Sequence, residues 1–317
     1  MIAQRVRAFA PASIGNLGVG FDVLGLAISG AGDWVTAERS DEAGVVITSI
    51  SGDEIGADAT QLSTQTQSNT AGIAAQALWA ECGGTAGLRL ALRKGTPLGS
   101  GMGSSAASAV AGAMAANALL PEPLPAHELL EYAMLGEAFA SKARHADNVA
   151  PSLLGGLVLC PVGRLPKVTV LPVPDGVRSV IVHPHLRVNT SAARAVLGDS
   201  LPVGLAVQQT GLLANFIHAC HTGDIALLGE SLADVIIEPQ RASLVSGFTE
   251  VKAAAQRSGA LGCSLSGSGP SVFSLARSAD AQQVASAMQS AFAAHGIQSD
   301  AWVSSMHAPG ATIEVLA

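Results

Sequence analysis

Apolar and polar positions along this chain change period several times, and each change marks an element. Ile2–Ala10 alternates and stops at Pro11, the pattern of a strand running into a turn, and glycines 15, 18, 20 and 25 then predict a loop. Asp33–Ala37 and Gly44–Ile50 alternate again and read as strands. Over Asn69–Glu81 the period lengthens: Ile73, Ala77 and Leu78 share a helical face, with Asn69 or Thr70 as cap. Leu88, Leu90 and Leu92 restore the two-residue period and predict a half-buried strand that feeds a glycine-rich stretch. Ser104–Leu120 is apolar on nearly every side, which predicts a buried helix, followed by a helix over Ala126–Ala143 and a strand over Gly155–Cys160.

Prolines 161, 166, 172 and 174 gather over Val162–Pro174 and mark a boundary between two domains, 1–163 and 164–317. Beyond it the pattern predicts a strand at Ser179–His183 and helices at Leu205–His221, Asp224–Ile236 and Ser246–Arg257. Strands at Gly262–Ser266 and Ser271–Leu275 flank a second glycine loop, before a helix at Ala279–His295 and a strand at Ala301–Ser305. Helices and strands mix without strict alternation, which predicts an α+β architecture.

Composition narrows the functional classes. The chain has 317 residues, 49% apolar and only 13% charged, so a large core is expected and disorder is not. Net charge is −7, and the 17 Lys and Arg form no basic stripe, which argues against a nucleic-acid partner. Cys82, Cys160, Cys220 and Cys263 form no CxxC pair and suit a reducing compartment. The first residues lack the apolar core of a signal peptide, and the uncharged run Gly95–Pro121 is mostly Gly, Ala and Ser. A cytoplasmic protein with no membrane partner is expected.

The chemistry concentrates in residues 95–108, GTPLGSGMGSSAAS. Gly101, Gly103 and Ala106 satisfy the relaxed G-x-G-x-x-A dinucleotide pattern, but the preceding strand alternates and carries Arg89, Arg93 and Lys94, where a buried parallel strand would be continuously apolar. Glu122, at the distance expected of a ribose-binding acid, sits between two prolines. There is no Walker G-x-x-x-x-G-K-[ST]. A phosphate cradle needs no lysine, however: glycines let backbone N–H groups approach an anion, and the helix start at Ser104 directs its free amides and positive dipole end at it. Histidine pairs 183/185 and 218/221 read as ordinary structural or surface residues.

The stretch PLGSGMGSSAASA resembles the P-x-x-x-G-L-G-S-S-A motif of the GHMP kinases, with Met102 where leucine is usual. APASIGNLGVGFDVLGLA at 10–27 and SLSGSGPSVFSL at 264–275 are similar to that superfamily's other two motifs, in the same order. Within it, ARHADNVAPSLLGG at 143–156, VNTSAAR at 188–194, IIEPQR at 236–241 and HAPGA at 307–311 resemble the homoserine-phosphorylating branch. The resemblance implies a two-domain GHMP kinase fold: an N-terminal, ATP-binding, ribosomal-protein-S5-like α/β domain and a C-terminal ferredoxin-like α+β domain. It also implies ATP and L-homoserine as substrates, Mg2+, and a homodimer. Another GHMP-type kinase, acting on a mevalonate-like or sugar substrate, stays open, as does a binding protein that kept the fold.

Carried over residue by residue, the resemblance assigns nucleotide binding to Pro97, Leu98, Gly99, Ser100, Gly101, Met102, Gly103, Ser104, Ser105 and Ala106, with Asn69 near the adenine. It assigns Mg2+ to Ser105 and Glu137. Arg194 and Arg241 would take the substrate carboxylate, and Asp22, Asp147 and His145 its ammonium and nearby polar atoms. Asn16 and Asn148 would orient the hydroxyl, and Thr190 would line the pocket. Asn16, Asp22 and Asn148 are thus the candidate catalytic residues; Asp22 is the candidate base, although the branch implies that a dedicated base is absent. Gly267, Ser268 and Gly269 form a supporting loop.

Overall fold

The computed structural model describes residues 3–53, 57–84, 86–198 and 200–316. The first half builds β1 (Arg5–Gly15), β2 (Leu24–Ser40), β3 (Val45–Gly52), α1 (Thr70–Glu81), β4 (Gly87–Lys94), α2 (Ser104–Asn117), α3 (Leu129–Ser141), α4 (Val149–Leu154) and β5 (Leu157–Leu159). The second builds β6 (Thr169–Leu171), β7 (Val177–Pro184), α5 (Thr190–Ala195), α6 (Val203–Thr222), α7 (Ile225–Ser231), α8 (Glu238–Arg241), α9 (Phe248–Arg257), β8 (Ala260–Leu265), β9 (Val272–Arg277), α10 (Ala281–Ala294), β10 (Ser299–Ser305) and β11 (Thr312–Val315).

Two sheets result. One has seven strands, with the path β11-β1-β2-β4-β3 and β5 and β6 joined to β2. Among the described residues only β3 and β4 pair in parallel, as a crossover through α1 requires. The other runs β10-β7-β9-β8, fully antiparallel, in the strand order of a ferredoxin-like unit. The proline-rich boundary separates the sheets in sequence except at β6 and β11, both of which return to the first sheet.

Several elements differ from the periodicity. The first strand begins at Arg5, Ile2 lying outside the described residues, and runs on through Pro11 to Gly15. Pro11 is tolerated because the ladder to β2 shifts register between Pro11 and Ser13. The expected glycine loop shrinks to residues 16–23, because Gly25 lies inside β2, where Asp147 O would overlap any β-carbon. The helix expected at Asp224–Ile236 stops at Ser231, and Asp234 then caps α8 by accepting from the amides of Ile236, Ile237 and Glu238. The start of Ala126–Ala143 is a single 3₁₀ turn, Ala126–Glu128. No helix among the described residues is long and apolar enough to cross a membrane.

α2 lies against β1, β2, α1 and α3, and only Ser105 and Met114 escape full burial along it. Alanine and glycine permit this because backbones approach closely. A β-carbon on Gly112 would stand 2.4 Å from the Ala71 carbonyl oxygen, and one on Gly136 of α3 would stand 2.4 Å from that of Thr70. The starts of α1 and α2 and the middle of α3 are thereby drawn together, with Thr70 Oγ1 donating to the Ser105 carbonyl at 3.2 Å. Gly112→Ala tests this packing. Helix propensity alone would make it stabilising by up to about 1 kcal/mol, but the clash is with rigid backbone. A net loss of about 1–3 kcal/mol in urea unfolding is expected.

Candidate active site

The glycine-rich stretch between β4 and α2 is held by its carbonyls. Gly99 O accepts from Val188 N at 3.3 Å, Ser100 O from Ser271 N at 3.1 Å, and Met102 O from Ser13 N at 3.0 Å. Gly101 O accepts from Ser266 Oγ at 2.7 Å. Gly99, Gly101 and Gly103 adopt left-handed φ of 65°, 75° and 66°. At Gly101 a side chain is also excluded sterically, since a β-carbon would lie 2.5 Å from Ser266 O and 2.7 Å from Gly269 O. The first bond of α2 runs from Ala107 N to Gly103 O, so the amides of Ser104, Ser105 and Ala106 precede it and are available to an anion.

These residues line a cavity of about 370 Å³ with Asn69, Glu137, Asn148 and Arg241. Most of the expected residues meet there: Asn16, Leu98, Asp147, Thr190, Arg194, Gly267 and Ser268 also face it. Pro97 turns to a second cavity behind the loop. Met102 and Ala106 are fully buried beneath the loop, as packing residues. Gly269 contributes through its carbonyl, against Gly101. The Ser104 hydroxyl donates to Thr96 O at 3.1 Å, and Asn69 caps α1 by accepting from Ala71 N at 3.0 Å and Gly72 N at 3.4 Å.

Arg194 Nη2 donates to Asp22 at 3.0 and 3.2 Å, and His145 Nδ1 stands 3.5 Å from the same carboxylate. Burial lowers the His145 pKa, with Asp22 opposing and Arg194 assisting. The Arg241 guanidinium is buried, donating to Ala193 O at 2.9 Å and Gly267 O at 3.2 Å. Both arginines stand over the Phe21 ring, at 5.5 and 5.3 Å. Asn16, at a left-handed φ of 67°, spans the junction: its Oδ1 accepts from Asp22 N at 3.0 Å and its Nδ2 donates to Gly267 O at 2.9 Å. Asn148 Oδ1 accepts from Ser13 Oγ at 3.0 Å, and Thr190 Oγ1 lies 3.4 Å from Ser268 Oγ.

Glu137 Oε2 is buried and meets no hydrogen-bond partner, while the Ser105 side chain bonds the same carboxyl. Burial pushes its pKa up to about 7, the Ser105 bond lowers it, and Asp147 raises it. A desolvated carboxylate oxygen with an open lone pair beside a hydroxyl fits a small, hard divalent cation. Asp147 is also pushed up to about 7, first by burial and then by Asp22, against backbone bonds from Asn16 and Asp147 itself.

Several contributors escaped the sequence reading. Phe21 is one; Ser13, Ser266 and Ser271 are others, since each donates to the loop from a distant part of the chain. Asp33 and Lys94 are buried beside the loop, and the period held their signal: Lys94 falls in phase with Leu88, Leu90 and Leu92, and Asp33 with Val35 and Ala37.

Residues 69–156 match the family model for the GHMP kinases N terminal domain and residues 216–294 that for GHMP kinases C terminal. A homoserine kinase of Xylella fastidiosa (strain 9a5c) is 45% identical over 312 residues, covering 98% of this chain and 94% of its own. One of Chlorobaculum tepidum is 44% identical over 324 residues, covering 98% of both chains. The crystal structure of homoserine kinase from Cytophaga hutchinsonii ATCC 33406 is similar with a TM-score of 0.94 at 41% identity, covering 99% of this chain and 98% of that one. The chain belongs to the GHMP kinases and, within them, to the family of those homoserine kinases.

The raised carboxyls set a sign for pH dependence. A carboxyl whose folded pKa lies above its unfolded value binds more protons in the folded state, so its contribution to stability fades as pH rises through the folded pKa. Without ligand, the denaturation midpoint should fall between about pH 4 and 7 on this account, and Asp147→Asn should flatten the fall. A divalent cation held at Glu137 would compete with its proton, so Mg2+ affinity is expected to rise with pH up to about 7 and then level. Urea melts and Mg2+ titrations across that range check both.

Proposed function

We propose that this protein transfers the γ-phosphoryl group of ATP to the side-chain hydroxyl of L-homoserine, giving O-phospho-L-homoserine on the route to threonine. The observation that carries this reading is one cavity that combines an amide-lined loop with a paired-arginine corner. Phosphoryl transfer asks chiefly for alignment and for neutralisation of phosphate charge. The amides around Gly101–Ala106 meet the phosphates. Ser105 and Glu137 would hold Mg2+, which when bound neutralises further phosphate charge.

Homoserine presents a carboxylate and an ammonium a short distance apart. Arg194 and Arg241 take the carboxylate with their forked N–H groups, and Asp22 and Asp147 take the ammonium. Arg194 is paired with Asp22 within the protein. The amino acid therefore exchanges one internal ion pair for two external ones, and the pocket's charge stays balanced. His145, beside Asp22, serves the ammonium end, Asn16 and Asn148 orient the hydroxyl, and Thr190 lines the pocket. A bond forms between the hydroxyl oxygen and the γ-phosphorus as the bond to the bridging β–γ oxygen breaks, and the hydroxyl proton passes to a γ-phosphate oxygen. Asp22, engaged by Arg194 and His145, is a binding group in this scheme. From the family resemblance we infer a cytoplasmic homodimer.

The decisive measurement is coupled ADP release with homoserine, mevalonate and galactose, with and without Mg2+. Turnover with mevalonate or galactose in place of homoserine would select another GHMP-type kinase, and absence of turnover with any acceptor would select a binding protein. Arg194→Ala should raise KM for homoserine by about 10- to 100-fold, the loss of a charged hydrogen-bond pair, with KM for ATP within about twofold. Asp22→Asn should cost only a few-fold in kcat while raising KM for homoserine; a kcat loss of about 10²–10⁴ would instead make Asp22 a general base.

A further inference from the structure

A charged cluster at the floor of the cavity has no part in this scheme. Lys94 ends β4 and is 1% exposed; Asp33, its neighbour on β2, is fully buried. The lysine ammonium has three N–H bonds, and all three are met. One goes to Asp33 Oδ2, one to Ser108 Oγ at 2.9 Å and one to the Ser104 carbonyl at 2.8 Å. Asp33 in turn accepts from Gly95 N at 3.1 Å and Ser108 Oγ at 2.7 Å.

Stability is a poor reason for such a pair. Desolvating two ions costs several kcal/mol each, and apolar residues of similar volume are often no worse in their place. What distinguishes the pair is what it touches: the glycine that opens the loop and the first two turns of α2. Ser104 is bound twice, its carbonyl by Lys94 and its hydroxyl to Thr96 O. Lys94 also lines the cavity, so contact with a phosphate is the competing role. Its donors are saturated, however, and its charge is answered by Asp33. To reach a phosphate it would have to leave that carboxylate buried and unpaired.

We propose that Asp33 and Lys94 are a positioning pair for phosphoryl transfer: together they pin the start of α2 to the middle of β2 and the end of β4, and Lys94 acts on ATP through the amides of Ser104–Ala106 without touching it. This rests on reading the cavity as the ATP site.

The test uses the full chain and its variants Asp33→Asn, Lys94→Gln and the double variant, with Mg2+-AMP-PNP affinity by calorimetry, KM for ATP and homoserine, and Tm. A displaced helix start should weaken nucleotide binding by about 10- to 100-fold. The loss should be of similar size in all three variants, because either single change already undoes the pair, and KM for homoserine should stay within about twofold. Asp33→Asn binding nucleotide normally while Lys94→Gln does not would make Lys94 a direct phosphate ligand and overturn the proposal. A double variant that melts early yet binds nucleotide normally would reduce the pair to packing and also overturn it. Should the single variants fail to fold around an uncompensated charge, the neutral double variant and Ser108→Ala, which removes only the hydroxyl shared by both partners, decide the matter by the same readouts. Failure of the unaltered protein to bind Mg2+-AMP-PNP would overturn the functional reading itself, a result distinct from either of these.

Discussion

A peptide group points its carbonyl and its N–H in roughly opposite directions, so anchoring one aims the other. Between β4 and α2 this constraint does most of the work. Carbonyls at 99, 100, 101 and 102 are each taken by a donor outside the loop, and the glycines supply the left-handed turns that let the chain present them. The donors come from β1, from the segment before α5 and from the β8–β9 connection, so both sheets meet at this loop. Further along, Lys94 holds the Ser104 carbonyl and Thr70 that of Ser105, so the amides of Ser105 and Ala106 on the other side of those peptide groups are left for the cavity.

The second organising fact is compositional. The helix behind the loop carries no charge and little bulk, and α1 and α3 can come close enough to bring Thr70, Ser105 and Glu137 into one neighbourhood. A larger helix would have separated the Glu137 carboxylate from the Ser105 hydroxyl that bonds it. Small residues in α2 thus serve the chemistry through geometry as well as the core through packing.

Much of the fold was legible because the long elements keep a regular period. The two-residue alternation of β4 and the all-round apolar character of α2 each follow from the side of the core they face. The short helices α4, α5 and α8 were not legible: four to six residues make too few turns to show a period, and α8 starts where Asp234 accepts amides, a role that depends on chain reversal. The site was legible where residues cluster in sequence, as in the glycine loop, and where a motif resemblance carried Glu137, Arg194 and Arg241. It was illegible where partners are far apart. Ser266 and Gly101 are 165 positions from each other, and nothing local to either foretells their bond. Asp33 and Lys94 were a missed opportunity, since charges in phase with apolar neighbours on two strands are the signature of a buried pair.

β11 pairs with β1 through Val6–Val315 to Phe9–Thr312, which closes the outer edge of the first sheet with a segment that follows the whole second sheet in sequence. On the ribosome, therefore, β1 waits with its outward N–H and C=O groups bare while the rest of the chain emerges. An unpaired strand edge is a template for wrong partners. Until residues 312–315 arrive that edge has no strand partner, so the first sheet is not finished when the strands of the chain's first half have been made.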